Sequence, residues 1–321
     1  MSSIGQTSIF RRYYTDDPFI DRFTTEPEGA VDVLIPILHT NELWRSNLLS
    51  IYREIPVNRL LIGDGGCIDD SLEVVREFPR VEIFDHSNFI SLGYSIRKLI
   101  EVVETEWFIY LHSDVYLPEG WFDAMRKYQN KYDWFECSQR ATILVEYLRD
   151  ITKNKRGFGI GGSHMGRKAA FKDVLHQIDD DYLYRNEDVI LFTLLERAGF
   201  RYGRIGEVFH YHQLMYKESP TSRKIKSLSV QLEMSREEEI RTYMMQAKGF
   251  VKYLEPTPIL VKELQRCVVR LLGLKALDWD EFKKWVKETN PVWLKHISKK
   301  GSWKYRVKQF ALKMYRRGWN K

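Results

Sequence analysis

The stretch Val-Asp-Val-Leu-Ile-Pro-Ile at residues 31–37 decides the fold class of this 321-residue chain. Five of its seven residues are aliphatic, so the stretch predicts a strand that is buried on both faces. Similar apolar runs follow at 59–62, 81–84 and 107–111, and helical patterns lie between them at 41–53, 70–78 and 91–103. This alternation predicts a parallel sheet with helices on both faces.

The pattern is less regular after Pro118, where a further helix is expected to begin. A helix is predicted at 187–198, one or two strands at 202–211, and a polar connection at 218–226. The remainder is helical in pattern, at 226–253, 259–272, 278–288 and 303–317. The chain therefore divides into an α/β part and a helical C-terminal extension.

The composition is that of a globular protein, with 44% hydrophobic and 29% charged residues. No run approaches the roughly 20 apolar residues that a membrane-spanning helix needs. Residues 1–14 lack the apolar core of a signal peptide. The three cysteines, Cys67, Cys137 and Cys267, form no Cys-x-x-Cys pair, which favours the cytoplasm and indicates no zinc site.

The basic residues are concentrated at the C-terminus. The formal net charge is +6, but residues 295–321 contain ten Lys or Arg and no acid, which leaves −4 for the rest. Nucleic acid is therefore not expected as a partner. The apolar face of the predicted last helix consists of Trp303, Val307, Phe310, Ala311 and Met314. This basic helix either packs on its own domain, the simpler interpretation, or lies on an anionic membrane surface.

Polar clusters follow three of the predicted strands, at 36–42, 63–70 and 112–116. Ligands of open α/β sheets bind outside the carboxyl ends of the strands. The three clusters therefore predict one binding site at this edge of the sheet.

The cluster after the fourth strand contains His112, Ser113 and Asp114. Alternate residues share a face, so His112 and Asp114 are able to point at one cation. A departing nucleoside diphosphate needs such a cation, Mn²⁺ or Mg²⁺. An acid that caps the turn before a helix near Pro118 is an equally good interpretation of Asp114 alone.

Two later segments carry further candidate residues. His210 and His212 share a face of a predicted strand, and one of them could complete a metal site, although a structural role is favoured for His210. Glu187 and Asp188 start a helix, where acids stabilise the helix dipole. The alternative is that a carboxylate there takes the proton from an acceptor hydroxyl.

Six short motifs occur in the order and spacing of the family 2 glycosyltransferases, which this chain resembles from about residue 31 to 212. They are Val31-Asp-Val-Leu-Ile-Pro-Ile37, Ile62-Gly-Asp-Gly-Gly-Cys-Ile-Asp-Asp-Ser71, Gly93-Tyr-Ser-Ile-Arg97, His112-Ser-Asp114, Gly161-Gly162 and Asn186-Glu-Asp188. The resemblance implies the GT-A fold, a mixed α/β sheet with helices on both faces. It also implies a metal-dependent transfer from a nucleotide sugar.

The resemblance implies a role for each matching residue. The residues expected to form the donor-nucleotide pocket are Pro36, His39, Glu42, Asp64, Asp69, Arg97 and Ser113. Asp114 is similar to the last acid of the D-x-D metal motif, with His112 and His212 as further ligands. Asp188 is similar to the catalytic base of the inverting members, with Glu187 beside it. Gly161 and Gly162 are expected on the acceptor side.

The sequence departs from the family pattern at three positions. His112 stands in place of the first acid of D-x-D, so it either binds the cation or marks a weakened or lost activity. His39 replaces an asparagine, and Gly63 replaces the first of two adjacent acids. The Gln-x-x-Arg-Trp motif and the spanning helices of processive synthases do not occur in the sequence. Transfer of a single sugar is therefore expected.

The expected domain organisation is a leader at 1–30 packed on the domain, a glycosyltransferase domain at 31–214, and a basic helical extension at 215–321. The expected partners are a UDP- or GDP-sugar and a glycan or lipid-linked acceptor. The expected location is the cytoplasm, with the inner face of the membrane as a second place. The alternatives are a nucleotidyltransferase, a non-catalytic sugar-nucleotide or glycan-binding protein, and a scaffold at the membrane surface. The nucleotidyltransferase is disfavoured because residues 37–40 contain no glycine.

Overall fold

The computed structural model describes residues 28–38, 40, 43–88, 91–143, 149–150, 162–178, 187–214 and 236–297. Its strands are β1 (Val31–Ile37), β2 (Val57–Asp64), β3 (Val81–Asp85), β4 (Trp107–Leu111), β5 (Val115–Tyr116), β6 (Trp134–Ile143), β7 (Arg149–Asp150), β8 (Ser163–Arg167) and β9 (Tyr202–Leu214). Its helices are α1 (Trp44–Glu54), α2 (Ser71–Val75), α3 (Leu92–Glu101), α4 (Trp121–Arg126), α5 (Lys168–Lys172), α6 (Glu187–Arg197), α7 (Arg236–Tyr253), α8 (Pro258–Gly273) and α9 (Trp279–Thr289).

The described strands form one mixed sheet in the order β3-β2-β1-β4-β8-β6-β9-β5, and β7 pairs with β6 alone. The first four strands are parallel, as the sequence predicted. Strand β8 is antiparallel to both β4 and β6, β9 is parallel to β6, and β5 is antiparallel to β9. The predicted fold class, a mixed α/β sheet followed by a helical C-terminal portion, is confirmed.

Strand β1 is buried at all seven positions, which means that both faces of the sheet are covered there. One of these positions is the acid Asp32, with no exposed surface. Its carboxylate accepts hydrogen bonds from Arg59 Nη2 and from the backbone N–H of Glu104, both at 2.7 Å, and from Asn58 Nδ2 at 2.8 Å. The charge is tolerated in the core because every one of these donors faces it.

Strand β9 contains a bulge opposite the step from Cys137 to Ser138 in β6. Cys137 pairs with Ile205 and Ser138 pairs with Phe209, so β9 contributes three extra residues, 206–208. Side chains alternate between the faces of a strand, so an odd number of extra residues reverses the alternation. Gly203 and Ile205 are buried before the bulge, Val208 is buried within it, and His210 is buried after it.

The structure differs from the sequence-based prediction between Pro118 and Glu187. Helix α4 begins at Trp121, after Gly120 adopts a left-handed conformation with φ of +75°. Strands β6 and β8 were not predicted. Their buried positions include Glu136 and His164, and such polar residues conceal the alternation that marks a strand. The predicted connection at 218–226 and the predicted helix at 303–317 lie outside the described residues, as do residues 1–27 of the expected leader.

The chain divides into two compact units, the first formed by Met1–Gln177 and Leu194–Glu233 and the second by Ile178–Thr193 and Met234–Lys321. The second unit contains α7, α8 and α9. Trp293 is fully buried in it, and its indole N–H donates to the carbonyl of Leu254 at 2.8 Å. Among the described residues, no helix is both long and apolar enough to cross a membrane.

Candidate functional site

Three strand ends meet at one edge of the sheet in the first unit. Strand β8 starts at Ser163, which pairs with Leu111 at the end of β4. Strand β9 runs parallel to β6 and carries His212 close to its carboxyl end. This pairing brings together three segments that are far apart in the sequence, and each of them contributes a predicted site residue: His112, Gly162 and His212.

His112, Asp114 and His212 form a cluster at this edge. Pairing of β5 with β9 sets Val115 opposite His212, so the turn that carries Asp114 faces the end of β9. Asp114 Oδ2 lies 3.1 Å from His212 Nε2, and the rings of His112 and His212 are 5.9 Å apart between centroids. One ligand atom from each of the three residues lies within 4.8 Å of the other two.

The protonation preferences of the cluster follow from burial and from Asp114. Burial lowers the pKa of His112 to about 4, against the opposing charge of Asp114, so the ring is neutral at pH 7. Burial alone would lower the pKa of His212, but the hydrogen bond and the charge of Asp114 outweigh it and raise that pKa. Burial likewise opposes ionisation of Asp114, yet His212 holds the pKa of this carboxyl below its ordinary value.

The cluster could hold a divalent cation. It offers one carboxylate oxygen and two imidazole nitrogens, and imidazole suits Mn²⁺ better than Mg²⁺. His112 is already in the neutral form that binds metals, whereas at His212 a proton competes with the cation because Asp114 favours the protonated ring. These three residues therefore fit the cation that the sequence implied.

The turn that carries the cluster is held by hydrogen bonds to two neighbouring segments. The backbone N–H of His112 donates to the carbonyl of Gly162 at 2.9 Å, which extends the β4–β8 ladder by one residue. The side-chain amide of Asn47, fully buried on α1, donates to the carbonyl of Ser113 at 2.8 Å. These hydrogen bonds therefore fix the backbone of Ser113, between the two candidate ligands His112 and Asp114.

A layer of buried polar side chains lies behind the cluster. The ring of His210 has no exposed surface, and its Nδ1 lies 2.7 Å from the hydroxyl oxygen of Ser163. That hydroxyl oxygen is 3.0 Å from Cys137 Sγ, which accepts a hydrogen bond from the indole N–H of Trp121. Burial lowers the pKa of His210 well below its ordinary value, so the ring is neutral.

Glu136 and His164 form a second buried pair that sequence reasoning did not identify. The His164 ring is stacked between Tyr110 and Trp134, with centroid distances of 5.3 and 4.7 Å. Its Nδ1 lies 3.9 Å from Glu136 Oε2, and burial lowers the His164 pKa to about 3. The only sequence signal is Glu136 between apolar neighbours in β6, since His164 in β8 follows the polar Ser163.

The predicted donor-pocket residues Pro36, Asp64 and Asp69 lie at the same edge of the sheet, in the ends of β1 and β2 or the loop that follows β2. Pro36 pairs in register with Gly63. Asp64 Oδ1 accepts from the backbone N–H groups of the two residues Gly66 and Cys67, at 2.9 and 2.8 Å. Asp69 accepts from the N–H of Ser71 and, at 3.3 Å, from the N–H of Thr40, which joins the loops after β1 and β2.

The remaining predicted residues are more scattered. Arg97 lies on α3, where its Nε donates to Glu101 at 3.1 Å. Glu187 and Asp188 open α6 within the second unit, and Asp188 Oδ1 accepts from the N–H of Val189 at 2.8 Å. Their catalytic role stays a prediction. His39, Glu42 and Gly161 lie outside the residues that the structure describes.

No family model and no curated protein matches the sequence. Solved structures with some similarity include S. aureus TarS 1–349, at 12% identity and a TM-score of 0.44 over 80% of this chain and 77% of that one. The same TarS fragment in complex with UDP-GlcNAc gives 12% identity and a TM-score of 0.46 over 80% and 78%. The bifunctional IspDF from Campylobacter jejuni gives 11% and 0.37 over 56% and 50%. Likeness at this level concerns the fold alone, so function has to follow from the site residues.

Proposed function

We propose that this chain is a glycosyltransferase that moves one sugar from a nucleoside diphosphate sugar to the hydroxyl of an acceptor. UDP- and GDP-sugars are the donors to test first, and a glycan, a glycolipid or a lipid-linked saccharide is the proposed acceptor class. The observation that carries the proposal is the cluster of His112, Asp114 and His212, at the same sheet edge as the loop that Asp64 holds.

This edge combines two features that a nucleoside diphosphate sugar requires. Asp64 accepts hydrogen bonds from within the loop of residues 64–70, and Asp69 connects this loop to the segment after β1. The loop held in this way would form one side of a pocket for a base and ribose. A divalent cation held by the cluster would neutralise the charge that develops on the departing diphosphate. Asp114 contributes the negative charge of that cluster, and His112 contributes a neutral nitrogen.

We assign the proton-accepting role to Asp188, with Glu187 beside it. A carboxylate next to the acceptor takes the hydroxyl proton while the hydroxyl oxygen bonds to the anomeric carbon. The bond to the nucleoside diphosphate breaks on the opposite side of that carbon, so the configuration inverts. Asp188→Asn should lower turnover by roughly 10²–10⁴-fold and leave nucleotide affinity unchanged. Loss of nucleotide binding in this variant contradicts the assignment.

The first experiment is a thermal-shift screen with UDP, GDP, CDP and dTDP, each with and without Mn²⁺. A ligand at a hundred times its dissociation constant stabilises the folded state by about 2.7 kcal/mol, which the screen resolves. We expect a shift with one nucleotide that depends on Mn²⁺ and disappears in Asp114→Ala. The matched control is Asp123→Ala, an exposed acid on α4, which should retain the shift.

The outcomes separate the competing functions. No shift with any nucleotide contradicts the proposal. A shift without release of sugar from any donor or transfer to any acceptor identifies a sugar-nucleotide-binding protein instead. Release of pyrophosphate from a nucleoside triphosphate and a sugar phosphate identifies a nucleotidyltransferase.

A further inference from the structure

His210 is enclosed by the first unit, and only one of its ring nitrogens has an assigned contact. Its Nδ1 faces the hydroxyl of Ser163 at 2.7 Å, whereas its Nε2 is buried and makes no hydrogen bond within the described part of the chain. Buried polar atoms in folded proteins almost always have a hydrogen-bond partner. A hydrogen-bond partner is therefore expected at Nε2 of His210.

The space next to His210 Nε2 is bounded by Gly162 and His212. A Cβ placed on Gly162 would lie 2.8 Å from His210 Nε2 and 3.0 Å from His212 Nδ1, so both nitrogens face the same point. Gly162 has a φ of +106°, a conformation that glycine adopts without strain. The absence of a side chain at Gly162 lets the two imidazoles approach each other behind the metal cluster.

We propose that His210 is a positioning residue for the metal site: its Nε2 accepts a hydrogen bond from one water that in turn accepts the Nδ1 proton of His212, and this bridge holds His212 Nε2 toward Asp114. This inference rests on the proposed function, since it concerns the residues of the metal cluster. It gives a role to a histidine that stands two positions before the ligand, on the same face of β9.

The proton inventory supports this arrangement. A histidine that offers Nε2 to a cation carries its own proton on Nδ1, and ligating histidines donate that proton to a neighbouring acceptor. A neutral imidazole at His210 has one protonated nitrogen and one acceptor. With its proton on Nδ1, donated to Ser163, the Nε2 lone pair faces His212. The hydroxyl proton of Ser163 is then free to point at Cys137 Sγ, 3.0 Å away.

The test compares Mn²⁺ affinity, measured by isothermal titration calorimetry, in the wild type and in His210→Phe. Phenylalanine keeps an aromatic ring in the buried site but has no acceptor, so we expect the affinity to fall by about 10- to 100-fold, the range typical of residues that orient metal ligands. The matched control is His86→Phe, which replaces another buried histidine, one whose Nδ1 lies 2.6 Å from the hydroxyl oxygen of Ser95. It should bind Mn²⁺ as the wild type does.

The outcomes distinguish this inference from the proposed function. A wild type that fails to bind Mn²⁺ overturns both. A wild type and a His210→Phe variant that bind Mn²⁺ equally overturn the positioning role and leave the metal site intact. Ser163→Ala, a smaller change, should weaken Mn²⁺ binding in the same direction.

A second measurement needs no variant and so does not depend on folding of His210→Phe. Two-bond ¹⁵N–¹H NMR spectra of the wild-type imidazoles, recorded with Zn²⁺ as a diamagnetic probe, report which nitrogen of each ring carries the proton. We expect Nδ1 protonation for both His210 and His212. A proton on Nε2 of His210 overturns the proposal.

Discussion

At the scale of single residues, Asp32 shows how a charge is kept in the core of the sheet. Burial alone would raise the pKa of this carboxyl, but the hydrogen bonds from Arg59, Glu104 and Asn58 outweigh it and lower the pKa. Its stabilising contribution is therefore fully present above the unfolded-state pKa of about 3.9 and is lost as the pH falls through the lower folded-state value. The carboxylate matters for stability because its donors would be left without a partner in its absence.

We expect Asp32→Asn to destabilise the protein by about 3 kcal/mol, because it removes the buried carboxylate of the Arg59 pair and leaves Arg59 only the exposed acids Glu82 and Glu104. Urea-induced unfolding, followed by circular dichroism, measures the change. Asp123→Asn is the control, because the pair of Asp123 with Arg126 is exposed on α4 and should contribute little. Equal stability of the wild type and Asp32→Asn contradicts the prediction.

We expect Mn²⁺ affinity to fall as the pH is lowered, because the proton competes with the cation at His212. Asp114 raises the pKa of His212 above its ordinary 6.5, so at pH values below that raised pKa each unit should cost up to about tenfold in affinity. His112, with a pKa of about 4, should add nothing between pH 6 and 8. Calorimetric titrations at pH 6, 7 and 8 test this, and a constant affinity contradicts it.

Sequence reasoning named the three clustered residues but not their supports. The i and i+2 spacing of His112 and Asp114 predicts that both point at one cation, whereas the prediction for His212 rests on the resemblance to the family 2 glycosyltransferases. Asn47 and Ser163 could not be predicted, because their roles depend on contacts across 66 and 47 residues of chain. The sequence favours a structural role for His210, since a lone histidine carries no sign of what lies behind it.

At the scale of elements, the start of helix α3 is determined by a residue next to it in the sequence. Ser91 precedes the helix with extended backbone, and its hydroxyl oxygen accepts from the N–H of Tyr94 at 3.1 Å. The predicted start at residue 91 is therefore one residue before the observed helix, at the position of the capping side chain.

We expect Ser91→Ala to lower the free energy of unfolding by about 1 kcal/mol, because the N–H of Tyr94 loses its partner in a site that is almost fully buried. Ser91→Asp, which supplies another capping oxygen, should recover most of the loss. Chemical denaturation of the three proteins measures the effect. An alanine variant as stable as the wild type contradicts the capping role.

The parallel strands were predictable as elements, and β6 and β8 were not. Strands β1, β2 and β4 contain apolar runs that are buried, as their composition predicts, whereas the predicted strand β3 has no fully buried position. Strand β8 reads Ser-His-Met-Gly-Arg, and its Gly166 is required because a Cβ there would lie 2.7 Å from the Phe108 ring. Its membership of the sheet is set by its two neighbours rather than by its own β-propensity.

At the scale of the whole molecule, the second unit joins residues 178–193 to the C-terminal helices. No local pattern in the sequence predicts such a grouping, because it joins segments that are separated by residues 194–233. The predicted domain boundary between residues 214 and 215 therefore stays a prediction. The membrane contact of the basic tail also stays a prediction, because residues 298–321 lie outside the described part of the chain.

Removing residues 301–321 takes away seven Lys or Arg and changes the formal net charge from +6 to −1. If the tail binds anionic lipid, this truncation should weaken binding to phosphatidylserine-containing vesicles by more than about tenfold at low salt, since each basic residue near such a surface contributes about 1 kcal/mol. Co-sedimentation measures the affinity, and vesicles of neutral lipid are the control. Unchanged binding contradicts the membrane role.

The bulge in β9 makes the site tolerant of changes in chain length at one point. Residues 206–208 lie outside the register with β6, and pairing resumes at Ser138 and Phe209. Because this resumed register sets the face that His210 and His212 share, loss of a single codon at 206–208 would shorten the bulge and leave both imidazoles on the inner face. A one-residue deletion between the two histidines would instead put them on opposite faces. Lineages that keep this chemistry should therefore vary in length at 206–208 far more readily than between 210 and 212.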